Sequence, residues 1–373
     1  MSDHDYFEEP AKRSAFGRVM RSLLIMAILA VIAAGATAFY VQDAFTSRGP
    51  LTTSKIVTVK RGMGTAPIAQ MLASEGVISS PGIFMAVTYA LRSTHGNLKA
   101  GEFEFASGAS MADVLRLLQA GKSLAYKVTI PEGWTTQKAL ARIAANKVLK
   151  GDLTVKPPEG SLLPDTYVFQ RGTTRDALVK RMTDAQKKLL DELWDKRQKN
   201  LPVKTRLEVL TLASIVERET GVGLERAQVA GVFVNRLNIK MRLQSDPTII
   251  YGIVGGKGKM DRPISKKDIA EKTAYNTYQI DGLPPSPIAN PGRAAIEAVL
   301  NPQDTEYLYF VADGTGGHAF AKTLKEHQAN VAVWRKIERD RKKAANSKAN
   351  KKPSTATTVT PTGKSDQPAS KKP

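Results

Sequence analysis

The chain contains no cysteine, so neither a disulfide framework nor a thiolate zinc site supports any part of it. Histidine is scarce as well. His4, His95, His318 and His327 are scattered and lack the HExxH spacing that sets two imidazoles on one helix face, so a zinc enzyme is not expected. No metal and no other cofactor is anticipated. Acidic residues are outnumbered by basic ones, 35 Asp and Glu against 55 Lys and Arg, which gives a net charge of +20. Such a balance raises nucleic acid as a partner. The distribution of the charge argues against it, because much of the excess lies either before an apolar run near the N-terminus or in a Lys-, Ser-, Thr- and Pro-rich tail. That tail, 342–373, has almost nothing apolar to bury and is expected to be disordered, as a solubilising segment or a contact for anionic polymers and headgroups.

What is present begins with Leu23 to Val41, an apolar run of about the length a helix needs to span a bilayer core. Lys12, Arg13, Arg18 and Arg21 precede it, and the positive-inside rule then leaves residues 1–22 as a cytoplasmic stub and the remainder outside. The competing reading is a cleaved signal peptide with Ala36-Thr37-Ala38 as the small-residue site. The run is longer than a usual signal core and reaches Phe39 and Tyr40, interfacial aromatics, which favours a retained single-pass anchor.

Between anchor and tail an α+β organisation is expected, with a division near Gly172. Val57-Thr58-Val59, Gly62 and the helix from Ile68 are matched in order by Val128-Thr129-Ile130, Gly133 and the helix from Leu140. A strand-turn-helix unit therefore occurs twice within 51–172. Leu98 to Phe105 alternates like a strand, and Met111 to Leu118 reads as a helix closed by Gly121. In 173–341, helical periodicity covers Thr174 to Lys199 and then Thr205 to Glu217, and Tyr307 to Ala312 reads as a buried strand before the tight loop Asp313 to Gly317.

The second of these helices carries the chemistry. Leu212 to Thr220 places Glu217 and Glu219 at the end of an apolar helical stretch, and a carboxyl group held among apolar side chains keeps its proton, as a general acid requires. Periodicity does not choose between the two: Leu210 and Ala213 share a face with Glu217, Leu212 and Ile215 with Glu219. It does exclude their acting together, since residues two apart on a helix project roughly 200° apart. Downstream, Asn235-Arg236, Met241 to Thr248, Tyr275-Asn276-Thr277-Tyr278 and Gly282 to Gly292 form polar loops rich in Pro and Gly, suited to a ligand with many hydroxyl and amide groups. Part of this has a structural reading: Asn290 can cap a helix begun by Pro291, and Asp246-Pro247 can start a turn.

The ordered series Ser214 to Glu217, Met241 to Pro247, Tyr275 to Tyr278, Gly282 to Pro287, Asn290-Pro291-Gly292, and Tyr307 to His318 with Phe320 and Glu326-His327 resembles the MltG-type (YceG-like) endolytic murein transglycosylases. The resemblance covers about residues 20 to 335. It implies a LysM-like first module, a catalytic module over 173–341, and cleavage of the β-1,4 bond between N-acetylmuramic acid and N-acetylglucosamine inside a glycan strand, leaving a 1,6-anhydro end. It also implies Glu217 as the catalytic glutamate, acid and then base, with the muramyl C6 hydroxyl as nucleophile, so that neither a metal nor a second carboxylate is needed. Gln244, Ser245, Asp246, Tyr275 and Asn276 are expected to line the groove, and Arg236 to hold either a substrate carboxylate or Glu219. The expected partners are peptidoglycan strands, the membrane and a peptidoglycan synthase; the alternative is a non-catalytic, membrane-anchored peptidoglycan-binding scaffold.

Overall fold

The computed structural model describes residues 15–91 and 96–350. His4, His95 and the tail beyond residue 350 lie outside them. Helix α1 (Ala15–Thr46) contains no proline and runs unbroken past both ends of the expected 23–41 segment. Among the described residues it is the one helix long and apolar enough to cross a membrane. Its C-terminal end is packed, with Phe45 buried beside Leu51, Val57, Phe84 and Phe103.

Contact clustering divides the chain into two compact units. The first comprises Met1–Thr129, Ala141–Val155 and Thr166–Lys180; the second comprises Ile130–Leu140, Lys156–Asp165 and Arg181–Pro373. The expected cut near Gly172 falls in the last segment of the first unit, and two shorter stretches before it belong to the second. A linear reading could not find them, because they are recruited by long-range contacts.

In the first unit β1 (Lys55–Val59) pairs antiparallel with β2 (Gly101–Phe105), Val57 standing opposite Phe103. Helices α2 (Thr65–Ser74), α3 (Pro81–Ala90) and α4 (Met111–Ala120) complete the core through Ile68, Leu72, Phe84, Val114 and Leu118. The expected stop at Gly121 is a left-handed C-cap with φ 68°. A second antiparallel pair joins β3 (Ala125–Thr129) to β4 (Thr166–Gln170). The repeated strand-turn-helix order is present along the chain: β1, Gly62 (φ 84°) and α2, then β3, Gly133 (φ 71°) and α5 (Thr136–Ala144).

The second unit follows α6 (Arg175–Trp194), whose later residues Leu189, Leu190 and Leu193 enter its core. Helix α7 (Arg206–Glu219) opens on a capping box in which Thr205 accepts the Glu208 N–H while the Glu208 carboxylate accepts the Thr205 N–H. Its central residues Val209, Leu212, Ala213, Ile215 and Val216 are fully buried. They pack with α8 (Arg226–Asn238) and α11 (Arg293–Leu300). Between these helices α9 (Asp246–Val254) and α10 (Lys266–Ala270) carry the polar loops. Asp246-Pro247 thus opens a helix rather than a turn, with proline in the first turn, where its missing N–H costs nothing. A two-stranded sheet, β5 (Tyr309–Ala312) with β6 (His318–Ala321), precedes α12 (Leu324–Asn350). β5 is half-buried, not buried as its composition suggests. Residues 342–350, expected to be disordered, continue α12, their Lys and Ala being good helix formers.

Asn290 does not cap a helix. Gly292 is the N-cap of α11, and Asn290 instead ties three chain segments of the second unit together. Its side-chain oxygen accepts the Leu162 N–H at 2.9 Å, its amide nitrogen donates to the Trp134 carbonyl at 2.9 Å and to Thr136 Oγ1 at 3.2 Å, and its own carbonyl accepts the Gly133 N–H at 3.0 Å.

Candidate active site

The last turn of α7 sends its two glutamates to different neighbours, as a 200° separation requires. The Glu217 side chain, 6% exposed, accepts the Gly292 N–H at 3.0 Å and lies 3.6 Å from Arg226 Nη2. Gly292 is the N-cap of α11, so this carboxylate sits at the positive end of a helix. Burial raises the Glu217 pKa above the ordinary value; the Gly292 N–H opposes the rise, the Glu132 charge adds to it, and Arg226 and Arg218 oppose it.

Glu219 faces a different environment. It accepts a hydrogen bond from Ser245 Oγ, and it lines a cavity of about 490 Å³ together with Arg236, Gln244, Asp246, Tyr278 and His318. Glu217 is not among the residues lining that cavity. Burial pushes the Glu219 carboxyl up to about 7, with the Asp246 charge adding to the rise and the Ser245 hydrogen bond, His318 and Arg236 opposing it. The more strongly perturbed carboxyl therefore stands at the larger opening.

The walls of this cavity are fixed by bonds within the second unit. Gln244 sits at φ 50°, a left-handed conformation uncommon for a side chain of its kind. Its N–H donates to the Thr277 carbonyl, and the next residue's N–H donates to Thr277 Oγ1, which together hold the loop in place. Arg236 is buried and spends two N–H groups on the Leu308 and Leu243 carbonyls, at 2.6 and 2.7 Å. It still faces Glu219 electrostatically. Tyr278 Oη donates to Asp246 at 2.8 Å. His318 is clamped by Glu225, whose carboxylate takes the His318 backbone N–H at 3.0 Å and bonds Nδ1 at 2.7 Å.

Of the residues expected to bind substrate, Gln244, Asp246 and Arg236 line the cavity, and Ser245 lies beneath it, 1% exposed, bonded to Glu219. Tyr275 and Asn276 do not line it. Asn276 gives its amide hydrogens to the Asp268, Ile269 and Glu271 carbonyls and accepts the Tyr278 N–H, so its polar atoms are consumed in shaping the loop. The Tyr275 hydroxyl bonds Ser286, and its ring lies 5.0 Å from that of Tyr251.

The family model for the YceG-like family matches residues 57–333. This chain belongs to the YceG-like family. Over 303 residues it is 32% identical to a protein of Bacillus subtilis named endolytic murein transglycosylase, an alignment covering 73% of this chain and 82% of that one. A protein of Streptococcus pneumoniae with the same name is also 32% identical, over 74% of this chain and 57% of its own length. Among solved structures, a YceG-like protein from Listeria monocytogenes is 29% identical, with 74% of this chain and 98% of that one covered and a TM-score of 0.45.

In this YceG-like chain, sequence reasoning passed over Tyr278 and His318 as individual cavity residues, although both stand inside the quoted motifs. The one signal that could have found Tyr278 is its position two residues after the buried Asn276, whose side chain turns the loop.

Proposed function

We propose that this chain is a membrane-anchored endolytic murein transglycosylase, cutting the β-1,4 bond between N-acetylmuramic acid and N-acetylglucosamine within a glycan strand and leaving 1,6-anhydro-muramyl ends. Strands growing at a membrane-bound synthase are its proposed substrate, the apolar helix α1 its anchor. The observation that supports this reading is the pair of carboxyls at the end of α7, Glu217 set against the Gly292 N–H and Arg226, and Glu219 at a cavity lined by Arg236, Gln244 and Asp246. The names of its Bacillus and Streptococcus relatives support the reaction class.

Glu217 is the proposed acid and base, the position that the sequence resemblance implies, and its burial favours the protonated form that an acid needs. Its protonated carboxyl donates to the departing glycosidic oxygen as the bond to muramyl C1 breaks. The resulting carboxylate then accepts the proton of the muramyl C6 hydroxyl as that oxygen closes on C1, which returns the group to its starting state. Asp246, fixed by Tyr278, is a proposed contact for sugar hydroxyls in the neighbouring cavity. Gln244 presents an amide to hydroxyl and acetamido groups.

The test is incubation of the full chain with peptidoglycan and mass spectrometry of the products. Anhydro-muramyl ends are expected; reducing muramyl ends would make the protein a hydrolase, and binding without release would make it a scaffold. The pH dependence of the rate adds a second expectation. Only protonated Glu217 can act as the acid, and burial raises its pKa, so the rate should fall as pH rises through a value above the ordinary carboxylate range. The Arg226 charge favours the ionised form, and Arg226→Gln should therefore move this alkaline limb to higher pH, as read from a pH–rate profile. An unmoved limb would remove Arg226 from the acid's environment.

A further inference from the structure

A second, smaller opening lies beside the cavity. It has a volume of about 90 Å³, room for about three water molecules, and it is lined by Lys138, Arg218, Trp134 and Tyr251 among others. This is too little for a sugar ring and enough for one small polar group. Lys138 comes from the first turns of α5, Arg218 from the last turn of α7, and both belong to the second unit. No carboxylate among the described residues stands within ion-pair reach of either side chain. The Glu217 charge interacts with Arg218, and its carboxylate is engaged by Gly292 and Arg226.

Two glycines keep the opening clear. A Cβ on Gly133 would stand 3.5 Å from Arg218 Cδ, and one on Gly258 would stand 3.3 Å from Lys138 Nζ; both residues also hold positive φ. The Cβ position of Gly133, which lines the opening, also lies 3.6 Å from Glu217 Cγ, so the opening borders the Glu217 side chain. Arg218 lines it while its chain neighbour Glu219 lines the larger cavity, and Pro247 and Asp246 divide in the same way, so the two openings flank the same backbone segments.

We propose that Lys138 and Arg218 form a carboxylate-binding subsite for the acidic arm carried by the muramyl sugar, so that the enzyme reads that arm as well as the glycan. The proposal rests on the transglycosylase reading for the identity of the ligand. A glycan of N-acetylated sugars is neutral along its backbone, and its carboxylates sit on the muramyl arm, either within a stem peptide or as the bare lactyl group once the peptide is removed. Paired cations beside aromatic walls, in a space that admits only a small group, match that chemistry.

The experiment measures binding to the full-length Glu217→Gln protein, with and without Lys138→Gln or Arg218→Gln. The probes are uncrosslinked strands bearing stem peptides, the same strands with their carboxylates converted to amides, and strands stripped of peptide by an amidase. Each substitution is expected to weaken binding of the peptide-bearing strands by about tenfold, the worth of one charge-assisted hydrogen bond, and to leave binding of the amidated strands unchanged. Lys138→Arg should restore the affinity, and thermal melts check that each variant folds. Loss on peptide-bearing strands alone would assign the subsite to a stem-peptide carboxylate, and loss on stripped strands as well would mean that it also takes the bare lactyl carboxylate. Equal loss on native and amidated strands, or no loss on either, overturns the proposal. Failure of the transglycosylase reading would show separately, as wild-type protein that yields no anhydro ends from any of the three probes.

Discussion

At pH 8 the Glu219→Gln protein is expected to be more stable than the wild type, while at pH 4 the two should unfold alike. The sign follows from linkage. The Glu219 carboxyl titrates at about 7 in the folded protein against an ordinary 4.5, so between those values the folded state binds the proton that the unfolded chain releases. Stability from this group is complete below about 4.5, declines as pH rises through the window, and is lost above about 7. A shift of this size corresponds to roughly 3 kcal/mol at most, less whatever solvent in the cavity recovers. Glutamine keeps the shape and an acceptor for Ser245 Oγ but never ionises, so it removes the cost of a buried charge. Urea unfolding at the two pH values checks this. A variant no more stable than wild type at pH 8 would mean that Glu219 is comfortably ionised in the fold. The groups facing Glu219 are Asp246, Tyr278, Arg236 and His318, and the comparison of the two proteins cancels their own titration to first order.

Asn290→Ala is expected to destabilise the second unit by about 3 kcal/mol, a large part of a typical margin. Asn290 is fully buried, and Leu162, whose N–H it accepts, is fully buried too. Alanine leaves that donor without its acceptor, deletes the amide bonds to the Trp134 carbonyl and Thr136, and opens a small cavity. Chemical denaturation of the full chain, followed by a probe in the second unit, measures the effect. A change below about 0.5 kcal/mol, the range of ordinary surface substitutions, would show that the three segments hold together without it.

These two residues mark where sequence reading succeeds and where it stops. Regular elements with local causes were legible: the Thr205–Glu208 capping box, the Gly121 stop and the apolar face of α7 are all written within a few residues of where they act. The membrane-length helix was legible for the same reason. Asn290 was read as a cap because Asn-Pro-Gly before a helix has that local meaning; its actual partners lie 128 and 156 residues away along the chain, where no periodicity points. Periodicity leaves the choice between Glu217 and Glu219 open for a related reason, and the family resemblance points to Glu217. Both have apolar residues on their side of the helix, and the tertiary structure sets one carboxylate against the N-terminus of α11 and the other at the edge of a cavity. Asn276 and Tyr275 share a motif with Tyr278, and sequence gives no means of telling which of the three points at the ligand and which build the turn that aims it.

The central claim is that Glu217 handles the proton. It is tested most directly by incubating wild-type, Glu217→Gln and Glu219→Gln proteins with peptidoglycan and counting anhydro-muramyl ends by mass spectrometry. Loss of the acid–base group should cost on the order of 10²–10⁴ in rate in Glu217→Gln, while Glu219→Gln, once shown to be folded, should retain more activity. An inactive Glu219→Gln protein beside an active Glu217→Gln protein would contradict the claim and move the chemistry to Glu219.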